Sequence, residues 1–531
     1  MPVHITPLSP LAFLERSASV FAEAVAVVHG DRRITYRELA AEATRVARAL
    51  RASGVAAGDR VAYLCHNAPA LLVAHFAVPL AGGVLVAVNT RLAPEEVLTI
   101  CDHSGARLIV VDTALAGTVA PVLGRLSVDE VIWDDDADPV PAGLPGIAYA
   151  DFLARGSDEA LPWAVEDEDA TISINYTSGT TGTPKGVMYT HRGAYLNSLG
   201  ENLTAGHGQD TVYLWTLPMF HCNGWCHPWA IVACGGVQVC LRAVRDDAIW
   251  RLIDEEGITH LNGAPAVLSL LVNSEHAHAL ERPLTVVTAA APPSPTILAQ
   301  TEALGARVVH VYGLTETYGP YTVCQWQADW ADEEPAERAR LLARQGVAMV
   351  MADPIRVLDA TGADVPRDGA TVGEIVMSGN DVMKGYYDDP EGTAAAFRGG
   401  VFHSGDLGVW HPDGYIELRD RAKDVVISGG ENISTIEVEQ ALASHPAVLE
   451  VAVIGVPSER WGERPKAFVV LRPGATAGHD ALTAHVHARI ARYKCPDTFE
   501  MLEELPRTST GKVRKFELRE REWGPLDRRI N

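Results

Sequence analysis

Residues Tyr176–Gly186 read YTSGTTGTPKG, directly after the alternating, strand-like run Thr171–Tyr176. Three glycines, Lys185 and the hydroxyls of Thr177, Ser178, Thr180, Thr181 and Thr183 fall within this short stretch. Glycine lets a backbone fold tightly around an anion with its N–H groups turned inward, hydroxyls add donors, and lysine brings a compact positive charge. The spacing is not that of a P-loop, which requires Gly, four residues, then Gly-Lys-Ser/Thr. By composition alone a Ser/Thr/Gly loop is more often a flexible linker. A short loop that follows a strand at once favours an anion cradle.

Working outward, short Val/Ile/Leu-rich runs alternate with Ala-rich helical stretches. Arg107–Val111 (RLIVV), Arg307–Val311 (RVVHV) and Leu449–Val456 (LEVAVIGV) are examples, the last following a helix-like Ser434–Ser444. Such alternation implies an α/β fold with helices covering sheets. The apolar run Leu71–Val88 contains His75, Pro79, Gly82 and Gly83, and divides into a buried helix, a turn and a strand more naturally than it spans a membrane. The acidic stretches Asp134–Pro145 and Val165–Asp169 read as solvated connections.

With 531 residues, 47% of them hydrophobic, the chain has material for a large core and several domain-sized units. Its 44 Lys and Arg against 68 Asp and Glu leave a net charge of −24, a poor match to a nucleic-acid backbone, so no nucleic acid is expected as partner. The charge is uneven, with 15 basic and 16 acidic residues from Asp424 onward against 29 and 52 before it. An anionic ligand must therefore be held by local donors and a few placed cations. Eight cysteines without a regular framework fit a reducing compartment, and MPVHITPLSP lacks a signal-peptide pattern, so a cytoplasmic location is expected. A boundary falls near Arg419–Asp424, where a turn and strand (HPDGYIEL) give way to a Gly-rich turn and new α/β pattern. This divides the chain into residues 1–422 and 423–531.

YTSGTTGTPKG resembles the signature loop of the adenylate-forming superfamily, which includes acyl-CoA synthetases, peptide-synthetase adenylation domains and firefly-type luciferases. Further motifs agree in order: Tyr312–Glu316 (YGLTE), Ser404–Leu407 (SGDL), Asp420–Ile433 (DRAKDVVISGGENI) and Pro506–Lys512 (PRTSTGK), with Ile34–Leu39 and Asn89–Glu96 also fitting. The resemblance spans nearly the whole chain. It implies a large N-terminal domain of several α/β subdomains and a small, mobile C-terminal α+β domain.

It also implies ATP, Mg²⁺ and CoA as ligands, with a carboxylic acid as co-substrate. Thr177, Ser178, Gly179, Thr180, Thr181, Gly182 and Lys185 would hold phosphates, and Thr315 and Glu316 would lie near phosphates and Mg²⁺. A single Glu is a reasonable protein ligand for Mg²⁺, which keeps phosphate oxygens and water. Asp406 would take the ribose hydroxyls, with Arg421 nearby. Tyr312 would stack on the base, and Gly313 would border nucleotide and acid. Ala290 and Ala291, in TAAAPP, stand where relatives often have a glycine against adenine. Lys512 would reach the reacting carboxylate and α-phosphate. Lys423 aligns with the residue about which the small domain turns between two half-reactions, and Gly429 and Gly430 would line the thiol's route.

Pro218–Trp229 (PMFHCNGWCHPW) is the most individual segment. Cys222 and Cys226 lack the second matched pair that structural zinc usually has. The segment is similar to one in short- and medium-chain acyl-CoA synthetases, including plant acyl-activating enzymes and methylmercaptopropionate–CoA ligases. By that likeness His221 lies beside the acid, and Trp225, with Trp229 as a second candidate, fills the pocket wall and shortens the acid accepted. The expected activity is an AMP-forming acyl-CoA synthetase of short- to medium-chain acids. The alternative is an adenylating enzyme that loads a carrier protein or another nucleophile. A homodimer stays open beside a monomer.

Overall fold

The structure is a computed structural model and describes residues 5–136, 138–140, 142–157, 159–177, 184–289, 295–421, 424–428, 431–458, 460–508 and 512–523. Two large mixed sheets dominate the part before residue 422. One has nine strands, built around the parallel run Val25–His29, Val237–Val239, Val212–Leu214, His260–Gly263, Leu284–Thr288 and Ala306–Leu314. The other has eight, with Thr171–Thr177, Val84–Ala87, Arg60–Leu64, Ala106–Asp112 and Glu130–Asp134 parallel at its centre. Central strands such as Val84–Ala87 are buried along their whole length, as parallel strands covered on both faces must be.

The Leu71–Val88 run divides as its sequence suggests. Pro69–Ala81 is a helix buried at every residue, closed by Gly82 in the left-handed region, and Val84–Ala87 is a strand. Pro at the first turn costs no hydrogen bond, and Gly tolerates the left-handed cap. One apolar cluster joins this helix and Tyr36–Ala52 to residues of both sheets, among them Tyr63, Val187, Tyr213 and Val309.

A four-stranded antiparallel sheet, including Phe402–Trp410 and Ile416–Arg421, completes the large part. Beyond it, Val448–Ser458 and Gly462–Leu471 form a long antiparallel pair with helices Thr435–Ala443 and His479–His487 and a core of their own. This is the small α+β domain. Ser434 caps the first of its helices, accepting from Glu437 N–H.

The acidic stretches are less passive than their charge suggests. Asp134 ends a strand, is buried, and has its pKa pushed up to about 7 by that burial and by the nearby Asp112 and Asp136. Glu168 accepts from Leu8 N–H at 2.6 Å and pairs with Arg192. Leu8 and Arg192, distant in sequence, turn Glu168 into a structural tie.

Helix His191–Ala205 begins against Tyr318, whose hydroxyl accepts from Thr190 N–H at 2.7 Å. A Cβ on Gly193 would stand 2.2 Å from that hydroxyl and 2.8 Å from Asn380 O. Gly193→Ala is expected to destabilise the fold by about 1–3 kcal/mol through overpacking, read as a thermal midpoint lower by a few degrees.

Candidate active site

Strand Thr171–Thr177 turns back as Lys185–Thr190, so the residues bounding the Gly/Thr loop form an antiparallel hairpin with Thr177 opposite Lys185. Ser178, Gly179, Thr180, Thr181 and Gly182 lie outside the described residues, as do Ala290, Ala291, Lys423, Gly429 and Gly430. Lys185 is described. Its ammonium stands 4.4 Å from the centre of the Tyr386 ring and 3.8 Å from Asp389 Oδ2.

Tyr386 links this lysine to the second motif. Its hydroxyl donates to Glu316 Oε1 at 2.9 Å. Lys185 and Glu316, far apart in sequence, thus meet at one aromatic ring. Glu316 lies half-buried on the turn Thr315–Thr317 between antiparallel strands Ala306–Leu314 and Gly319–Val323. Burial raises its carboxyl above the usual range, opposed by hydrogen bonds and by Arg421. A hard-oxygen donor there fits a magnesium ion that takes its other ligands from phosphate and water.

Gly313 has an architectural reason to be glycine. A Cβ there would fall 1.9 Å from Gly319 O across the hairpin. Tyr312 is buried, and its hydroxyl donates to Asp406 Oδ2 at 2.8 Å. Arg421 Nε lies 3.0 Å from Asp406 Oδ1. Three residues expected around one nucleoside are therefore brought together, although in this structure Tyr312 and Arg421 engage the Asp406 carboxylate.

The segment after Met219 is built on an unusual backbone. Cys222, Asn223, Gly224, Trp225 and Cys226 all have φ between 49° and 61°. Left-handed conformation costs roughly 1–2 kcal/mol per non-glycine residue, so this turn must be held from outside. Asn223 Oδ1 accepts from Ser173 Oγ and from Asn175 Nδ2, both at 2.7 Å, and Asn223 N–H donates to Asn175 Oδ1 at 3.1 Å. A Cβ on Gly224 would meet the Trp215 ring at 2.5 Å. The strand that feeds the Gly/Thr loop thereby fixes the turn that carries His221 and Trp225.

His221, half-buried, has its pKa lowered to about 4 by burial and by the charge of Lys512. Its ring is therefore neutral in neutral solution, and Lys512 lies near enough for its charge to bear on the ring. Lys512 N–H donates to Thr508 Oγ1 and its carbonyl accepts from Thr508 N–H, closing that turn. Thr315 completes the group, with Oγ1 3.5 Å from Cys222 Sγ and its carbonyl accepting from Tyr189 Oη at 2.6 Å.

The two tryptophans separate. Trp225 packs on Gly319, where a Cβ would lie 2.7 Å from its Cδ1. Trp229 is core: fully buried, its indole N–H donates to His75 O at 3.0 Å. Both ring nitrogens of His227 are engaged, Nδ1 with the carbonyls of Gly224 and Trp225 and Nε2 with Asn262. Sequence reasoning missed Tyr386, Tyr189, Ser173, Asn175 and Asn223. The Asn223-Gly224 pair was the available signal, since both residue types tolerate left-handed backbone.

The chain matches the AMP-binding enzyme family over residues 14–387 and the AMP-binding enzyme C-terminal domain over residues 437–512, and it belongs to that family. Similar proteins include an acetate–CoA ligase of Humulus lupulus, 43% identical over 97% of this chain and 95% of its own. A peroxisomal acetate/butyrate–CoA ligase of Arabidopsis thaliana is 42% identical over 99% and 97%, and a 4-hydroxybutyrate–CoA ligase of Metallosphaera sedula is 40% identical over 96% and 94%. Among solved structures, ATP-bound MatB from Rhodopseudomonas palustris superposes with a TM-score of 0.86 at 29% identity, covering 98% of this chain and 100% of that one.

Asn223→Ala would leave the Ser173 hydroxyl and the Asn175 amide without their shared acceptor. A loss of about 1–3 kcal/mol for each stranded donor is expected, together with reduced turnover, measured by thermal unfolding and steady-state kinetics on the same preparation.

Proposed function

We propose that the chain activates short-chain carboxylic acids as acyl adenylates and passes the acyl group to CoA. It is an AMP-forming acyl-CoA ligase that uses ATP, Mg²⁺ and CoA. The observation that carries the site assignment is the meeting of Lys185, Tyr386 and Glu316 at the mouth of the Gly/Thr hairpin. Attack of a carboxylate on a phosphate brings two anions together, so placed positive charge and oriented donors should dominate the catalysis.

In this reading Lys185 and the hydroxyls that follow Thr177 hold the β- and γ-phosphates. Glu316 would hold magnesium, which would supply charge to offset that of the phosphates. Thr315 adds a donor, Asp406 and Arg421 orient the ribose, and Tyr312 lies against the base. Lys512 neutralises charge where carboxylate and α-phosphate meet, and the neutral His221 ring borders the acid. Trp225, standing on Gly319, closes the acid pocket; the acetate and acetate/butyrate relatives support a short acid.

We place the domain boundary at residue 422, with Lys423 as the hinge and Gly429 and Gly430 on the thiol's path. A separate core, built only from residues between Val426 and Cys495, supports this. A reducing, cytoplasmic location is supported by eight free cysteines. Short-chain acyl-CoA thioesters would feed fatty-acid and lipid metabolism. Among the described residues no helix is long and apolar enough to cross a membrane.

Lys512→Ala should lower acid-dependent ATP–pyrophosphate exchange by about 10²–10³-fold while preserving ATP affinity, since its charge is needed chiefly in the transition state. Assays with and without CoA separate a ligase from an enzyme serving another nucleophile, because only the ligase forms free thioester. Exchange within a factor of a few of wild type removes Lys512 from the reaction.

Trp225→Gly keeps a residue suited to left-handed backbone and opens volume. A series of kcat/KM values from acetate to palmitate should shift its optimum to longer chains, each newly buried CH₂ adding up to ~0.8 kcal/mol. An unchanged profile places Trp225 outside the pocket.

A further inference from the structure

Asp381 is fully buried, and beyond its own backbone N–H neither of its carboxyl oxygens has a hydrogen-bond partner. An unpaired charge in such a place is far costlier than a neutral carboxyl, so the site favours the protonated form. The ionisable groups facing it are Tyr318, Tyr321 and, across Gly379, the exposed Asp353. Tyr321 Oη already donates toward the carbonyls of Asp353 and Ser378, and Tyr318 Oη accepts from Thr190 N–H. Cations on neighbouring elements are engaged elsewhere: Arg192 pairs with Glu168 and Asp169, and the Lys384 ammonium donates to Asp169 O.

Asp381 begins a strap that grips Glu316 from two sides. Met383 N–H donates to the Glu316 carbonyl at 2.7 Å, and Tyr386 Oη donates to its carboxylate at 2.9 Å. Between them, Lys384 N–H donates to Met188 O at 3.0 Å, and Gly385 and Tyr386 pair with Met188 and Val187 beside the Gly/Thr hairpin.

We propose that Asp381 seats this strap and acts as a positioning residue for the adenylation step, its ionisation loosening the hold on Glu316. The proposal rests on the reading of Glu316 given under Proposed function. Burial, reinforced by the Asp353 charge, moves Asp381 from 3.8 up to about 7. For a carboxyl raised in this way the folded state is favoured fully below the unfolded value. That advantage is lost as pH rises from about 4 to about 7, and little further change follows.

The test compares wild type with Asp381→Asn, which keeps the shape and cannot ionise. The thermal midpoint of the variant should gain on wild type between pH 5 and pH 7.5, with the gap level above that. Acetate-dependent ATP–pyrophosphate exchange at saturating magnesium should fall several-fold in wild type between pH 6 and pH 8.5 and change by less than about twofold in the variant. A midpoint gap identical at pH 5 and pH 8, or superposable exchange profiles, overturns the proposal. If no acid supports exchange at any pH, the ligase reading fails while the midpoint comparison still judges Asp381. Should Asp381→Asn not fold, Asp353→Asn serves instead: losing the like charge should move the alkaline decline of wild type to lower pH, and a decline that stays in place overturns the proposal.

Discussion

Ser173 and Asn175 stand on a buried strand, and both donate to Asn223 Oδ1. Water cannot replace that acceptor, and an unmet buried donor costs about as much as a sizeable fraction of a domain's net stability. The pairing therefore fixes the left-handed turn Cys222–Cys226 relative to the strand leading into the Gly/Thr loop. His221 at the start of the turn and Lys185 beyond the loop are held in one frame by side chains that touch no substrate in the proposed mechanism.

A second set of ties crosses between sheets. Tyr386, on the edge strand beside Lys185–Thr190, reaches Glu316 on the hairpin of the other large sheet. Tyr189 reaches the Thr315 carbonyl and stacks on Tyr318 at 3.9 Å between ring centres. Tyr312 reaches Asp406 on the four-stranded sheet. Tyrosine suits this work because an apolar ring fills the seam while one hydroxyl meets one acceptor.

Much of this architecture could be read from the chain itself. Periodicity located Thr171–Tyr176, Arg307–Val311 and Leu449–Val456 as strands, and the likeness of the ordered motifs to those of the adenylate-forming superfamily singled out Lys185, Glu316, Asp406 and Lys512. What stayed hidden depends on partners distant in sequence. Nothing local marks Tyr386 as the companion of Glu316, and the burial of Asp134 and Asp381 contradicts the usual reading of an aspartate. Gly313 read as a ligand-facing residue, while in the fold its lack of a side chain is what allows Gly319 to approach. The acidic run at Glu168 read as solvated because composition carries no information about Arg192 or Leu8.

The left-handed turn also has a consequence for how the molecule is assembled. Five successive residues at positive φ cannot be populated by the chain locally, because each non-glycine member is uphill until Ser173, Asn175 and Trp215 are already in place. Its contacts join positions about 50 residues apart, so loop closure is met before the turn yields any return. The sheets must form first and the turn must snap in afterwards. During refolding, bulk compaction is thus expected to precede completion of the turn that carries His221 and Trp225, a late event on an otherwise finished scaffold.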